Sequence, residues 1–217
     1  MTDRILVIGN KNYSSWSLRA WLAMKVAGIA FSEHRIALYG PEAKEKILAF
    51  SPAGKVPCLI DGDTRVWDSL AICEYLAERQ KDLWPADPAA RALARSISAE
   101  MHSGFQSLRA HMSMNIRRRH PDKGRTPESL ADVARIVAIW SDCRARFDAG
   151  GPFLFGRFSI ADAMYAPIVL RFRTYEVELP PVCRAYCDAV LALPAMREWI
   201  ADAERETESI AQFDMYV

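Results

Sequence analysis

Strand-forming runs fill the first third of the chain and stop at Trp84-Pro85-Ala86-Asp87-Pro88. That change of periodicity restricts the fold more than any other feature. Before it, short apolar runs alternate with segments whose apolar residues recur at helical spacing; after it, only helical spacing remains. Ile5-Leu6-Val7-Ile8-Gly9 reads as a buried strand, and Leu18, Leu22, Ala23 and Val26 mark a helix closed by Gly28. Phe31 to Leu38 reads as a second strand and Glu42 to Phe50 as a short helix. Lys55 to Asp61 and Arg65 to Trp67 read as strands joined by Asp61-Gly62-Asp63, and Asp68-Ser69 opens the next helix. The order βαβαββα belongs to the α/β class.

Beyond the two prolines, residues 89–119 read as one long helix, ended by Arg117-Arg118-Arg119-His120-Pro121. A second helix is expected from about Glu128 to Asp148, after the Pro127 start signal. Ser159-Ile160-Ala161-Asp162 is a capping pattern that opens a core helix and carries no chemistry. Shorter helices follow Pro180-Pro181 and Pro194. The expected architecture is an α/β domain at residues 1–82 and an all-α domain at residues 89–217. A chain of 217 residues suffices to bury a core in each.

A net charge of +1 gives no global attraction to nucleic acid or an anionic membrane. No stretch approaches the ~20 apolar residues of a membrane span. The N-terminal residues run into the first strand without an apolar leader. Five cysteines, an odd number and mostly in apolar segments, stand at no metal-ligand spacing to the four histidines. The expectation is a cytoplasmic protein without metal or disulfide framework.

Three local constellations bear on chemistry. Asn12-Tyr13-Ser14-Ser15-Trp16-Ser17 is a strand-to-helix turn with three hydroxyls. Ser14 or Ser15 can cap the helix, and such a helix start attracts anions. Val56-Pro57 begins a strand, where proline needs no ladder N–H. An ordinary trans start and a cis bond that turns the Val56 backbone toward a peptide-like ligand both fit. Asp68-Ser69 caps a helix; together its carboxylate, hydroxyl and free N–H groups also suit the amino and carboxylate groups of an α-amino acid end. Lys55 could neutralise a second carboxylate. On the long helix, His102, Gln106 and Arg109 recur at i, i+4 and i+7 and should share a face, with Met101 and Phe105 as apolar neighbours.

The serine turn, Lys55-Val56-Pro57, Trp67-Asp68-Ser69-Leu70-Ala71-Ile72, and Gly156 followed by Ser159-Ile160-Ala161-Asp162 stand in this order along the chain. Together they resemble a cytosolic glutathione S-transferase, over essentially the whole length. The turn is similar to that of the serine-type classes, zeta (maleylacetoacetate isomerase) and theta. Ser14-Ser15-Trp16-Ser17-Leu18-Arg19 keeps the serines and the arginine of the zeta pattern Ser-Ser-Cys-x-x-Arg, with Trp16 in place of cysteine. The resemblance implies a thioredoxin-like N-terminal domain, an all-helical C-terminal domain and a homodimer, with glutathione as cosubstrate and no metal. It implies Ser14, with Ser15 second, as the hydroxyl that activates the glutathione thiol. Val56-Pro57 would hold the cysteinyl backbone, Asp68 and Ser69 the γ-glutamyl end, and Lys55 the glycine carboxylate. Met101, His102, Phe105, Gln106 and Arg109 would border a small electrophile. Alternatives within the resemblance are a glutathione-dependent cis–trans isomerase and a glutathione-fold binding protein without turnover.

Overall fold

In the computed structural model residues 4–216 are described. The leaderless N-terminus read at residues 1–3 and the last residue of the expected second domain lie outside them. Four strands form one sheet in the order β2-β1-β3-β4: β1 (Arg4–Ile8), β2 (Ser32–Arg35), β3 (Cys58–Asp61) and β4 (Thr64–Trp67). β1 runs parallel to β2 and antiparallel to β3, and β3 forms a hairpin with β4. Successive side chains of β1 point to opposite faces. Leu6 and Ile8 join the main core with helices α1 (Ser15–Val26) and α3 (Ser69–Ala77), whereas Val7 packs with Ile36, Ile47 and Cys58 beneath the short helix α2 (Ala43–Leu48). The strands expected at 31–38 and 55–61 are shorter in the structure. Lys55, Val56 and Pro57 stay outside the ladder, and the Val56–Pro57 bond is cis.

The second half is helical: α4 (Pro88–Ser103), α5 (Gln106–His111), α6 (Pro127–Phe147), α7 (Ile160–Tyr175), α8 (Pro181–Ala192) and α9 (Pro194–Arg205). α7 is the hub, packing against α1, α4 and α8, with every residue buried except Arg173. Among the described residues no helix is long and apolar enough to cross a membrane.

The single helix expected over 89–119 is broken. Gly104 donates to the Glu100 carbonyl at 2.8 Å, and a Cβ there would sit 2.8 Å from that same oxygen. Phe105 then takes φ +60° and turns its ring into the core. α5 ends at His111, and the buried residues Met112 to Ile116 run irregularly against the serine turn. The side-chain amide of Asn12 donates to Asn115 Oδ1 at 3.0 Å and accepts from the Arg117 N–H at 3.0 Å. These buried polar groups hold the chain out of the helix that apolar spacing alone would continue.

Residues 206–216 return across the same turn as a strap. Glu206 accepts the N–H groups of Lys11 and Asn12 at 2.7 and 3.0 Å. Asp214 accepts from the Tyr13 hydroxyl and, at 2.7 Å, from the Asn115 amide. Lys11 is buried between the rings of Trp21 and Trp199 and pairs with Glu33 and Asp202.

Asp162 shows what the capping pattern secures. Fully buried, it accepts the N–H of Ser159 at 2.8 Å, the Ser159 hydroxyl at 3.1 Å and the Leu154 N–H at 3.0 Å. Burial pushes its pKa up to about 6, against the pull of these hydrogen bonds. Replacing it by alanine strands two buried N–H donors, at about 1–3 kcal/mol each. Asp162→Ala is therefore expected to lower the urea unfolding free energy by about 2–4 kcal/mol. A loss under about 0.5 kcal/mol would contradict this account.

Candidate functional site

One cleft of about 960 Å³ lies between the sheet unit and the helices. Three chain segments from the N-terminal half meet on one wall: the start of α1, the Val56–Pro57 turn and the start of α3. Each is held by local chemistry. Ser14 is the N-cap of α1, its oxygen accepting from the Ser17 N–H at 3.4 Å. Its hydroxyl lies 2.7 Å from that of Ser17, which in turn accepts the Gly9 N–H at 3.1 Å. Ser15, next along, receives a 3.4 Å hydrogen bond from Arg171 Nη2. Tyr13 is engaged elsewhere. Its hydroxyl donates to Asp214 and accepts from Arg117, so it is not free to act on a ligand in the cleft.

At the start of α3, Asp68 takes φ +74°, a conformation a non-glycine residue adopts at a cost of about 1–3 kcal/mol. Its Oδ1 accepts the N–H groups of Leu70 and Ala71, and its Oδ2 lies 3.2 Å from His102 Nε2. Ser69 is fully buried, borders the cleft, and its hydroxyl has no partner among the described residues. An unpaired buried hydroxyl is costly, and this one has its unmet hydrogen-bonding capacity beside the cleft.

The helical half brings cationic side chains to the same cleft. Arg109 donates to the carbonyls of Gly104 and Met101, and Arg171 to that of Met112. Burial, then the neighbouring Arg109, brings the pKa of Arg171 down to about 9. Burial also lowers that of Arg109. Trp16 is sandwiched by Arg19 at 4.3 Å and Arg109 at 5.0 Å, with His102 edge-on at 5.2 Å. Phe213, also lining the cleft, stacks on Tyr13 and meets Tyr39 edge-on. Lys44 and Lys55 reach the rim near Val56–Pro57, and Asp68 is the one carboxylate lining the cleft among the described residues.

The structure thus gathers Ser14, Ser15, Lys55, Val56, Pro57, Asp68, Ser69, His102 and Arg109 around one cavity. Met101, Phe105 and Gln106 do not border it. Met101 and Phe105 are buried in the core, and Gln106 is exposed with its amide on the Ser103 carbonyl. The i, i+4, i+7 face fails because the helix breaks at Gly104 between its members. Arg171 was missed. Its one sequence signal is a charge inside the apolar run Ile168-Val169-Leu170-Arg171-Phe172. The five cysteines are free and buried; burial pushes the thiol of Cys73, on α3, up to about 12.

Residues 13–79 match the family model for the glutathione S-transferase N-terminal domain, and residues 90–202 that for the C-terminal domain. The chain is 32% identical to a maleylacetoacetate isomerase of Rattus norvegicus over 77% of each chain. It is 41% identical to a probable maleylacetoacetate isomerase of Caenorhabditis elegans over 96 residues, which span 44% of that relative. Among solved structures, the theta class glutathione S-transferase of Xanthomonas axonopodis pv. citri with glutathione bound superposes with a TM-score of 0.61. It is 27% identical over 92% of this chain and 98% of that one.

Arg19 supplies a test of the electrostatics. It is fully buried, and none of its guanidinium nitrogens has a partner among the described residues. Burial and the neighbouring Arg109 and Arg171 lower its pKa well below the usual arginine value. Removing an uncompensated buried charge while keeping the side-chain volume should stabilise the fold. Arg19→Met is expected to raise the unfolding free energy in urea by about 1–3 kcal/mol. A decrease would show that the stacking on Trp16 outweighs the charge.

Proposed function

The chain belongs to the glutathione S-transferase family of enzymes, and we propose that it activates the glutathione thiol with a serine hydroxyl for attack on a small electrophile. The observation that carries this reading is the meeting of the α1 start, Val56–Pro57 and the Asp68–Ser69 pair on one wall of the cleft. In this assignment the γ-glutamyl ammonium goes to Asp68 and its carboxylate to the unpaired Ser69 hydroxyl. The cysteinyl backbone pairs with Val56, and the glycine carboxylate lies near Lys55. That leaves the sulfur at the start of α1. A free thiol has a pKa of about 8.5, so only a small fraction is thiolate at neutral pH. A hydroxyl donor, the positive end of α1 and the nearby Arg171 guanidinium all favour the anion. Ser14 remains the first choice for that donor. If the Ser17 hydroxyl turns to donate to Ser14, the Ser14 hydrogen is released to the sulfur, while Ser15 keeps Arg171 in position.

Ser14→Ala is expected to reduce kcat/KM about 100-fold with an uncharged aryl halide and to raise the pKa of bound glutathione, read by its thiolate absorbance. Ser15→Ala should cost less. Full activity in Ser14→Ala with loss in Ser15→Ala would reverse the assignment. Failure to bind glutathione at millimolar concentration in calorimetry would overturn the reading as a whole. A homodimer in the cytoplasm belongs to the same reading.

One observation favours the isomerase alternative. With glutathione seated as above, Arg109 is left without a role and Arg171 lies beside the sulfur, and two guanidinium groups in a partly dry cleft suit a carboxylate of the electrophile. The thiolate would add to a conjugated double bond, the resulting single bond would rotate, and elimination would return glutathione unchanged. Arg171→Met is expected to cut turnover of a cis diene carboxylic acid about tenfold more than turnover of an uncharged electrophile. Equal losses with both would count against a carboxylate site.

A further inference from the structure

His102 stands where the two halves of the molecule touch the same carboxylate. It lies in the last turn of α4, just before the break at Gly104, and Asp68 lies at the start of α3. The Asp68 carboxylate is divided between two duties. One oxygen caps α3 through Leu70 and Ala71, and the other faces His102 Nε2 at 3.2 Å. Trp16 packs edge-on against the imidazole, with ring centroids 5.2 Å apart. The other ring nitrogen, Nδ1, is buried and has no partner among the described residues. A neutral ring with its hydrogen on Nε2 satisfies this arrangement: it donates to Asp68 and leaves Nδ1 a bare lone pair.

We propose that His102 is a positioning residue for glutathione, its neutral Nε2–H holding the Asp68 carboxylate in the orientation that receives the γ-glutamyl ammonium. The inference rests on the glutathione reading above and adds to it a proton-linked contact from the helical half. A neutral donor orients the carboxylate without competing for its charge. A protonated ring does compete: it places a full positive charge on the carboxylate that the ammonium must share, and the two cations repel.

The surroundings of the ring set the direction of its titration. Burial is the main influence and lowers the pKa; Asp68 from α3 raises it, while Arg19 from α1 and Arg109 from α5 lower it further. The free protein therefore carries His102 neutral at neutral pH. An ammonium arriving at Asp68 lowers the His102 pKa again. Ligand binding then expels a proton from any protein whose ring is charged, so affinity falls as the pH drops through the free-state value.

S-methylglutathione isolates this effect, since it has no thiol to titrate and keeps both the ammonium and the carboxylates. Its dissociation constant is to be measured by calorimetry at about pH 7.5 and about pH 5.5 for the wild type, His102→Gln and His102→Ala. The wild type should bind about fivefold more weakly at the lower pH. His102→Gln retains an N–H donor near the Nε2 position but cannot be protonated. It should match the wild type at the higher pH within about twofold and lose most of the pH dependence. His102→Ala should bind about fivefold more weakly even at the higher pH. A pH dependence that persists unchanged in His102→Gln, or wild-type affinity in His102→Ala, would overturn the role of His102 while leaving the glutathione reading intact. Absence of binding by the wild type at either pH would overturn the glutathione reading itself.

Discussion

The cleft exists because two amide side chains hold its sides together. Asn12 belongs to the turn before α1 and Asn115 to the irregular segment after α5, and they meet in a fully buried hydrogen bond. Each has further partners. Asn12 accepts the Arg117 N–H, Asn115 donates its side-chain amide to Asp214, and the Asn115 backbone carbonyl accepts the hydroxyl of Thr174 on α7. Singly such bonds contribute about 1 kcal/mol, but a buried amide left without its partner costs about 1–3 kcal/mol. The arrangement is therefore all or nothing. The turn carrying Ser14 and Ser15 is held by these buried polar pairs and by Glu206.

What the residues disclose in advance is what local chemistry decides. Thr126 with Pro127, Ser159 with Asp162, and Asp68 before α3 are caps, and caps act within a few residues of themselves. The change of periodicity at the two prolines is equally local: the described strands all precede it and α4 begins at Pro88. The break at Gly104 is not local in this sense. Phe105, Leu108 and Met112 continue a helical spacing through it, and only the pull of the core on Phe105 and of Asn12 on the following segment ends the helix. The assumption of one face for His102, Gln106 and Arg109 failed for that reason. Arg171 lies 156 residues from its partner Ser15, and no spacing rule reaches so far.

The charges of the cleft are unevenly distributed between its two sides. Asp68 faces the site from α3, while Arg109 and Arg171 approach from the helices and Lys44 and Lys55 from the rim. In water such a cluster would be screened by ions within about 10 Å. In a half-enclosed cavity the screening is weaker, and burial first, then the neighbouring guanidinium groups, lower the pKa of Arg171 and of Arg19. The site thus holds positive potential that its own side chains do not cancel. It is prepared for a visitor with more negative charge than positive, which glutathione with an ionised thiol has.

The strap formed by residues 206–216 has a consequence for the history of each molecule. Glu206 caps the N–H groups of Lys11 and Asn12 across separations of 195 and 194 residues, and Phe213 supplies part of the cleft wall. During synthesis the sheet unit leaves the ribosome long before these residues do. Its serine turn must wait, with two amide donors still bonded to water, until the far segment arrives and is threaded over it. A nascent chain that still lacks residues 206–216 therefore has no finished cleft. The serine turn takes its final shape late, when both halves are already in place around it.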